Sequence, residues 1–123
     1  MATLTPTLTL SSPAGDIASD EVNFTVTDSL AISAGKKVIT NGRIPTAASG
    51  SGVTVLDSSD YGKSYVYVRN IDSSITIEII IGSTTLGTLA SEEFGYFVWD
   101  GSSSLKALSA SGTPVLEYAA FEA

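Results

Sequence analysis

YVYVRNIDSSITIEIIIG, Tyr65–Gly82, is two strands and a turn written in one line. In its first half Tyr65, Tyr67 and Arg69 fall on one side of an extended chain, with Val66 and Val68 on the other, because successive strand side chains point to opposite faces. In its second half Ile75, Ile77, Ile79 and Ile81 share a face, opposite Thr76, Glu78 and Ile80. β-Branched and aromatic residues fit a pleated surface. Between the runs, IDSS supplies turn residues whose side chains bond their own backbone. Four isoleucines on one face would contribute roughly 6–12 kcal/mol on burial, before conformational entropy is subtracted. That face is the expected centre of the core.

The same period of two extends outward in both directions. In TLTPTLTL, Leu4, Pro6, Leu8 and Leu10 point one way and the threonines the other. Pro6 cannot donate to a ladder, which predicts an edge strand or an extended arm. EVNFTVT sets Val22, Phe24 and Val26 against Asn23, Thr25 and Thr27, and Asp28-Ser29 predicts a bend before Leu30–Ile32. Asn41-Gly42 is a type I′ hairpin signal leading into Arg43-Ile44, a strand that Pro45 ends. Val53–Leu56 reads as a short strand, followed at Asp57–Asp60 by a turn or a single capped helical turn. EEFGYFVWDG places Phe94, Tyr96 and Val98 against Phe97 and Trp99, and a strand apolar on both faces is covered on both. SLKALSA and TPVLEYAAFEA supply the last strands. Eight to ten strands at this spacing, with no amphipathic helix, predict an all-β fold. The expected architecture is a compact antiparallel β-sandwich or barrel-like, jelly-roll-like single domain over 13–123, with residues 1–12 as an N-terminal arm or edge strand.

Composition narrows the chemistry. The chain has 123 residues, of which 33 are Ser or Thr, with no Gln, His or Cys. One domain with a real core fits that length. A net charge of −7 repels phosphate backbones, and the only basic cluster, Lys36, Lys37 and Arg43, is too small for a nucleic-acid footprint. Nucleic acid is therefore not an expected partner. Neither is a membrane, since no apolar run approaches the roughly 20 residues of a span. The N-terminus carries no basic, apolar signal-peptide pattern.

From Tyr65 onward the chain resembles a family of small tailed-phage virion proteins. The resemblance is carried by YVYVRN, a short polar turn with Asp, an isoleucine-rich strand, LGTLASEEFGYFVW and a terminal VLEYAAFE. NFTVTDSLAIS is similar to the start of marine phage structural proteins of this length. The family pattern contains no catalytic motif. What the resemblance implies is a virion structural protein, most plainly one that decorates or cements the capsid shell.

The residues themselves offer little else. Without His or Cys, no Ser/His/Asp or Cys/His arrangement can be built. Glu92 and Glu93, as strand neighbours, would point to opposite faces, so they read as a turn entering a strand rather than as an acid–base pair. Asp57, Asp60 and Asp72, and likewise Asp16, Asp20 and Glu21, offer oxygen ligands for Ca²⁺ without EF-hand spacing. Turn aspartates are common because they bond local backbone. No enzyme activity, cofactor or metal is expected. The expected partner surface is Leu4, Leu8 and Leu10 of the arm, adding a strand to a neighbour, together with Tyr96 and Trp99. The partners are the major capsid protein or other virion proteins and further copies of the chain, a trimer being one arrangement that suits a symmetric shell. The alternative is a carbohydrate-binding module of a tail or fibre, with Tyr61, Tyr65, Tyr67, Tyr96 and Trp99 as a stacking platform.

Overall fold

The computed structural model describes residues 2–13 and 22–123 and contains no helix among them. The described residues form twelve strands: β1 (Ala2–Leu4), β2 (Thr7–Ser12), β3 (Val22–Thr27), β4 (Leu30–Ile32), β5 (Val38–Pro45), β6 (Val53–Leu56), β7 (Ser64–Asn70), β8 (Ile77–Ile81), β9 (Thr84–Leu89), β10 (Phe94–Trp99), β11 (Leu105–Ser109) and β12 (Val115–Glu122). They fall into two compact units, Met1–Ala34 and Gly35–Ala123.

In the second unit, the chain deals its strands to two four-stranded sheets, alternating between them except at the β8–β9 pair, which stays in one sheet. One has the order β10-β7-β12-β5 and the other β6-β11-β8-β9, and all their pairings are antiparallel. Two such sheets packed together make a β-sandwich, and this strand order is that of a jelly roll. The quoted stretch supplies a central strand to each sheet. Val66 and Val68 of β7 and Ile77 and Ile79 of β8 meet in one core with Val55, Leu56, Trp99, Leu105, Ala107, Leu116 and Ala120. Ile81 packs against this cluster, while Ile75 precedes β8 and is only half-buried. Ile80, on the opposite face, is itself buried.

Asn70, at the end of YVYVRN, is fully buried and holds the loops at one end of the sandwich. Its Nδ2 donates to the carbonyls of Ile75 (2.7 Å), Leu89 (3.2 Å) and Ala90 (3.1 Å), and its Oδ1 accepts the Asp72 N–H. At the other end the Glu122 carboxylate accepts the N–H groups of Lys37 (2.9 Å) and Gly62 (2.8 Å), joining the start of β5 and the β6–β7 loop to the end of β12.

Asn41-Gly42 is not a hairpin turn. β5 runs unbroken through it, with Asn41 in the left-handed region (φ 54), and the register against β12 shifts there, as in a β-bulge. Asn tolerates that conformation better than most residues. Gly42 is needed because a Cβ there would sit 2.8 Å from the Tyr118 ring.

The first unit is a two-stranded ribbon. β2 pairs with β3 and β1 with β4, both antiparallel. Paired residue numbers sum to 34 in both stretches (Ala2↔Ile32, Ser12↔Val22), so one register continues through an interruption at Thr5-Pro6 and Asp28-Ser29. Pro6 has no N–H for the ladder, and its carbonyl instead accepts the Asp28 N–H at 3.1 Å. The alternating stretch Thr3–Leu10 is thus two strands, and Ser12 is the end of a paired strand.

Candidate functional site

Alternation gives the ribbon two unlike faces. Thr7, Thr9, Thr25 and Thr27 lie on one, where Thr7 and Thr27 hydroxyls are 3.1 Å apart and Thr25 reaches Thr9 at 3.5 Å. Leu8 and Leu10 lie on the other, directly opposite Val26 and Phe24. All four are about half exposed, at 44%, 52%, 50% and 51%. Leu4, opposite Leu30, continues the stripe and is half-buried, as Leu30 is. Leu4, Leu8 and Leu10, expected at a partner surface, therefore share one apolar stripe. Phe24 and Val26 belong to it as well. Their alternation with threonine was visible in the sequence, but their pairing with Leu8 and Leu10 was not.

The outer face of the first sheet is the second such surface. Three cross-strand rows run over it. Phe94, Arg69, Glu117 and Arg43 form one, Tyr96, Tyr67 and Ala119 the next, and Val98, Tyr65, Phe121 and Val38 the third. The first row is polar at its centre. Glu117 accepts from Arg43 (Nη2 at 3.2 Å) and from the Tyr67 hydroxyl at 3.4 Å. Desolvation, and next the Glu117 charge, push the Tyr67 phenol up from its ordinary value. The Tyr67 and Phe94 rings lie 6.4 Å apart, tilted by 38°. The other two rows are apolar. Phe94 (63%), Tyr96, Val98 and Val38 are exposed.

Trp99 is not on this face. It differs from Tyr96 by an odd number of residues, so the two point to opposite sides of β10. Trp99 is fully buried in the core, and its indole N–H donates to the Ser103 carbonyl at 2.8 Å. Trp99 therefore offers no surface to a partner or to a stacked sugar. Tyr61 also packs against the core, with the Lys37 ammonium 4.9 Å from its ring centre.

Asp16, Asp20 and Glu21 lie outside the described residues, and the turn carboxylates among the described ones bond local backbone. Asp57, Asp72 and Asp100 each accept the N–H two residues on, and Asp72 that of Ile75 as well. Those backbone hydrogen bonds hold all three below the usual carboxylate value. The Lys37 and Gly62 N–H groups do the same for Glu122. Glu93 accepts the Ala90 N–H at 2.7 Å, and Glu92 sits at φ 63 in the turn before β10. An open hollow of about 300 Å³ is lined by Thr76, Glu78, Thr88, Leu108, Ser109 and Ala110. Its one carboxylate, Glu78, is taken by the Thr85 hydroxyl. No group of three acidic side chains among the described residues is arranged to hold a metal ion. No family model, curated protein or solved structure matches the chain.

Among the described residues, nine large apolar side chains are exposed. Four are on the ribbon stripe and four on the outer face of the first sheet, leaving only Leu86 of β9 apart. Apolar exposure gathered in this way marks surfaces that meet other molecules, whereas scattered exposure does not.

Proposed function

We propose that this chain is a non-enzymatic structural protein of a tailed-phage virion, held on the capsid surface by burial of apolar area and by strand-edge contacts. The gathering of exposed apolar side chains on two faces carries the reading. A solvent-facing monomer gains nothing from such faces, while a subunit of a shell buries them. The jelly roll is compatible, being common among viral capsid proteins and lectins, but a fold does not by itself imply a function. The resemblance of YVYVRN, EEFGYFVW and VLEYAAFE to phage virion proteins points the same way. Quantitative mass spectrometry of purified particles tests it. Hundreds of copies per particle are expected for a head coat. A handful would move the protein to neck or tail, and none would end the proposal.

The Tyr67–Phe94 pair beside the Arg43–Glu117 ion pair favours one second reading, a carbohydrate-binding face on a tail or fibre, since sugars stack on aromatic rings and bond flanking charged groups. A glycan array separates the two. Specific binding lost in Phe94→Ala supports the lectin reading, and a blank array removes it.

A further inference from the structure

We infer that the ribbon of one copy covers the outer face of the first sheet of a second copy, and that two copies make this contact reciprocally. The inference rests on the adhesive reading above and names a second copy as what covers the two apolar faces, the capsid then being met by the strand edges that the reading also invokes. Two-stranded ribbons are marginal in water without a hydrophobic partner, and this ribbon exposes Leu8, Leu10, Phe24 and Val26 about half each. The occupant follows from area. Aromatic side chains have about 150–250 Å² each to cover, and the Leu and Val side chains less, so four that are about half exposed offer up to about 400 Å² on each face. One ribbon on one face then buries about 800 Å², the size of a weak or crystal-packing contact. A reciprocal pair doubles this to about 1,600 Å², the standard size of a stable complex. Dimensions agree as well. β2, β3 and β10 are each six residues long. The apolar side chains of both faces carry no charge, and the row beside them on the sheet, Arg69, Glu117 and Arg43, is net positive, so the net charge of −7 is not forced into the contact.

The test is sedimentation equilibrium of the full chain at micromolar concentrations, with Phe24→Asp on the ribbon and Val98→Asp on the sheet. Trp99 fluorescence verifies that the sandwich remains folded in both. The wild type is expected to sediment as a dimer, and each variant to raise the dissociation constant roughly 30-fold or more. An equimolar mixture of the variants should recover a weaker heterodimer, because one ribbon-on-face contact remains intact. A monomeric wild type overturns the inference. So does a dimer that Val98→Asp leaves unchanged, since ribbons would then be packing on each other. A chain that binds particles yet stays monomeric overturns this inference alone and leaves the adhesive reading standing.

Discussion

Replacing Asn70 with alanine should unfasten one end of the sandwich. The side chain is fully buried, and it satisfies the carbonyls of Ile75, Leu89 and Ala90 and the Asp72 N–H. Alanine leaves these groups without that partner at a fully buried position. At about 1–3 kcal/mol for a buried unsatisfied group, with two protons shared among three carbonyls, the expected loss is about 3 kcal/mol. For a domain of 60–100 residues each kcal/mol moves the midpoint by about 4–8 °C, so Tm should fall by roughly 12–24 °C. Urea unfolding followed by Trp99 fluorescence measures it directly. Asn70→Asp refines the test. Its second oxygen would face carbonyl oxygens, which raises the new carboxyl's folded pKa. A raised acid binds its proton more tightly when folded, so the deficit relative to wild type should shrink as the pH falls through that value. Only the protonated form can donate. An alanine variant that loses less than about 1 kcal/mol, or an aspartate deficit that ignores pH, would refute this account of the loop.

The remaining expectations concern the core, the other end and the bulge. Glu122→Gln should cost about 2 kcal/mol, because the Lys37 and Gly62 N–H groups bond separate carboxylate oxygens and the amide can accept only one of them, and that one as a neutral bond. The wild-type Glu122 contribution has the opposite pH sense to that of Asn70→Asp. Its folded pKa is lowered, so its stabilisation is present above the ordinary carboxylate value and is lost as pH falls through the folded one. Acid titration of wild type and variant should therefore converge at low pH. Trp99→Ala should destabilise by about 3–5 kcal/mol through the cavity it leaves, read by far-UV circular dichroism in denaturant. Trp99→Phe should cost less, chiefly the bond to Ser103. Asn41→Gly should be nearly neutral, while Asn41→Val at φ 54 should cost about 1–2 kcal/mol, measured by thermal melts.

The sandwich was legible because its strands obey a period of two and its turns use Asx and Gly chemistry. Val53–Leu56, Tyr65–Asn70 and the terminal strands lie where alternation puts them. Asn41-Gly42 misleads for a physical reason. A type I′ turn and a bulge both need a positive φ, and only the long-range pairing with Tyr118 distinguishes them. For β10, alternation already separated Tyr96 from Trp99, yet it could not say which face was inward. That is decided by Val66 and Val68 on the neighbouring strand, which share the core with Trp99. The ribbon was half legible. Each strand showed its own stripe, but the pairing of Leu8 with Val26 and of Leu10 with Phe24 across the ribbon leaves no local trace.

The interruption at Pro6 and Asp28 has a role beyond shape. TLTPTLTL is nearly self-similar, so sliding β2 past β3 by two residues would keep every leucine on its own side and cost little in pattern. The proline and its bond to Asp28 act as a notch, and a notch fits one place only. Replace Pro6 with threonine and the two strands could shuttle between alignments, each offering a different apolar outline to whatever they grip.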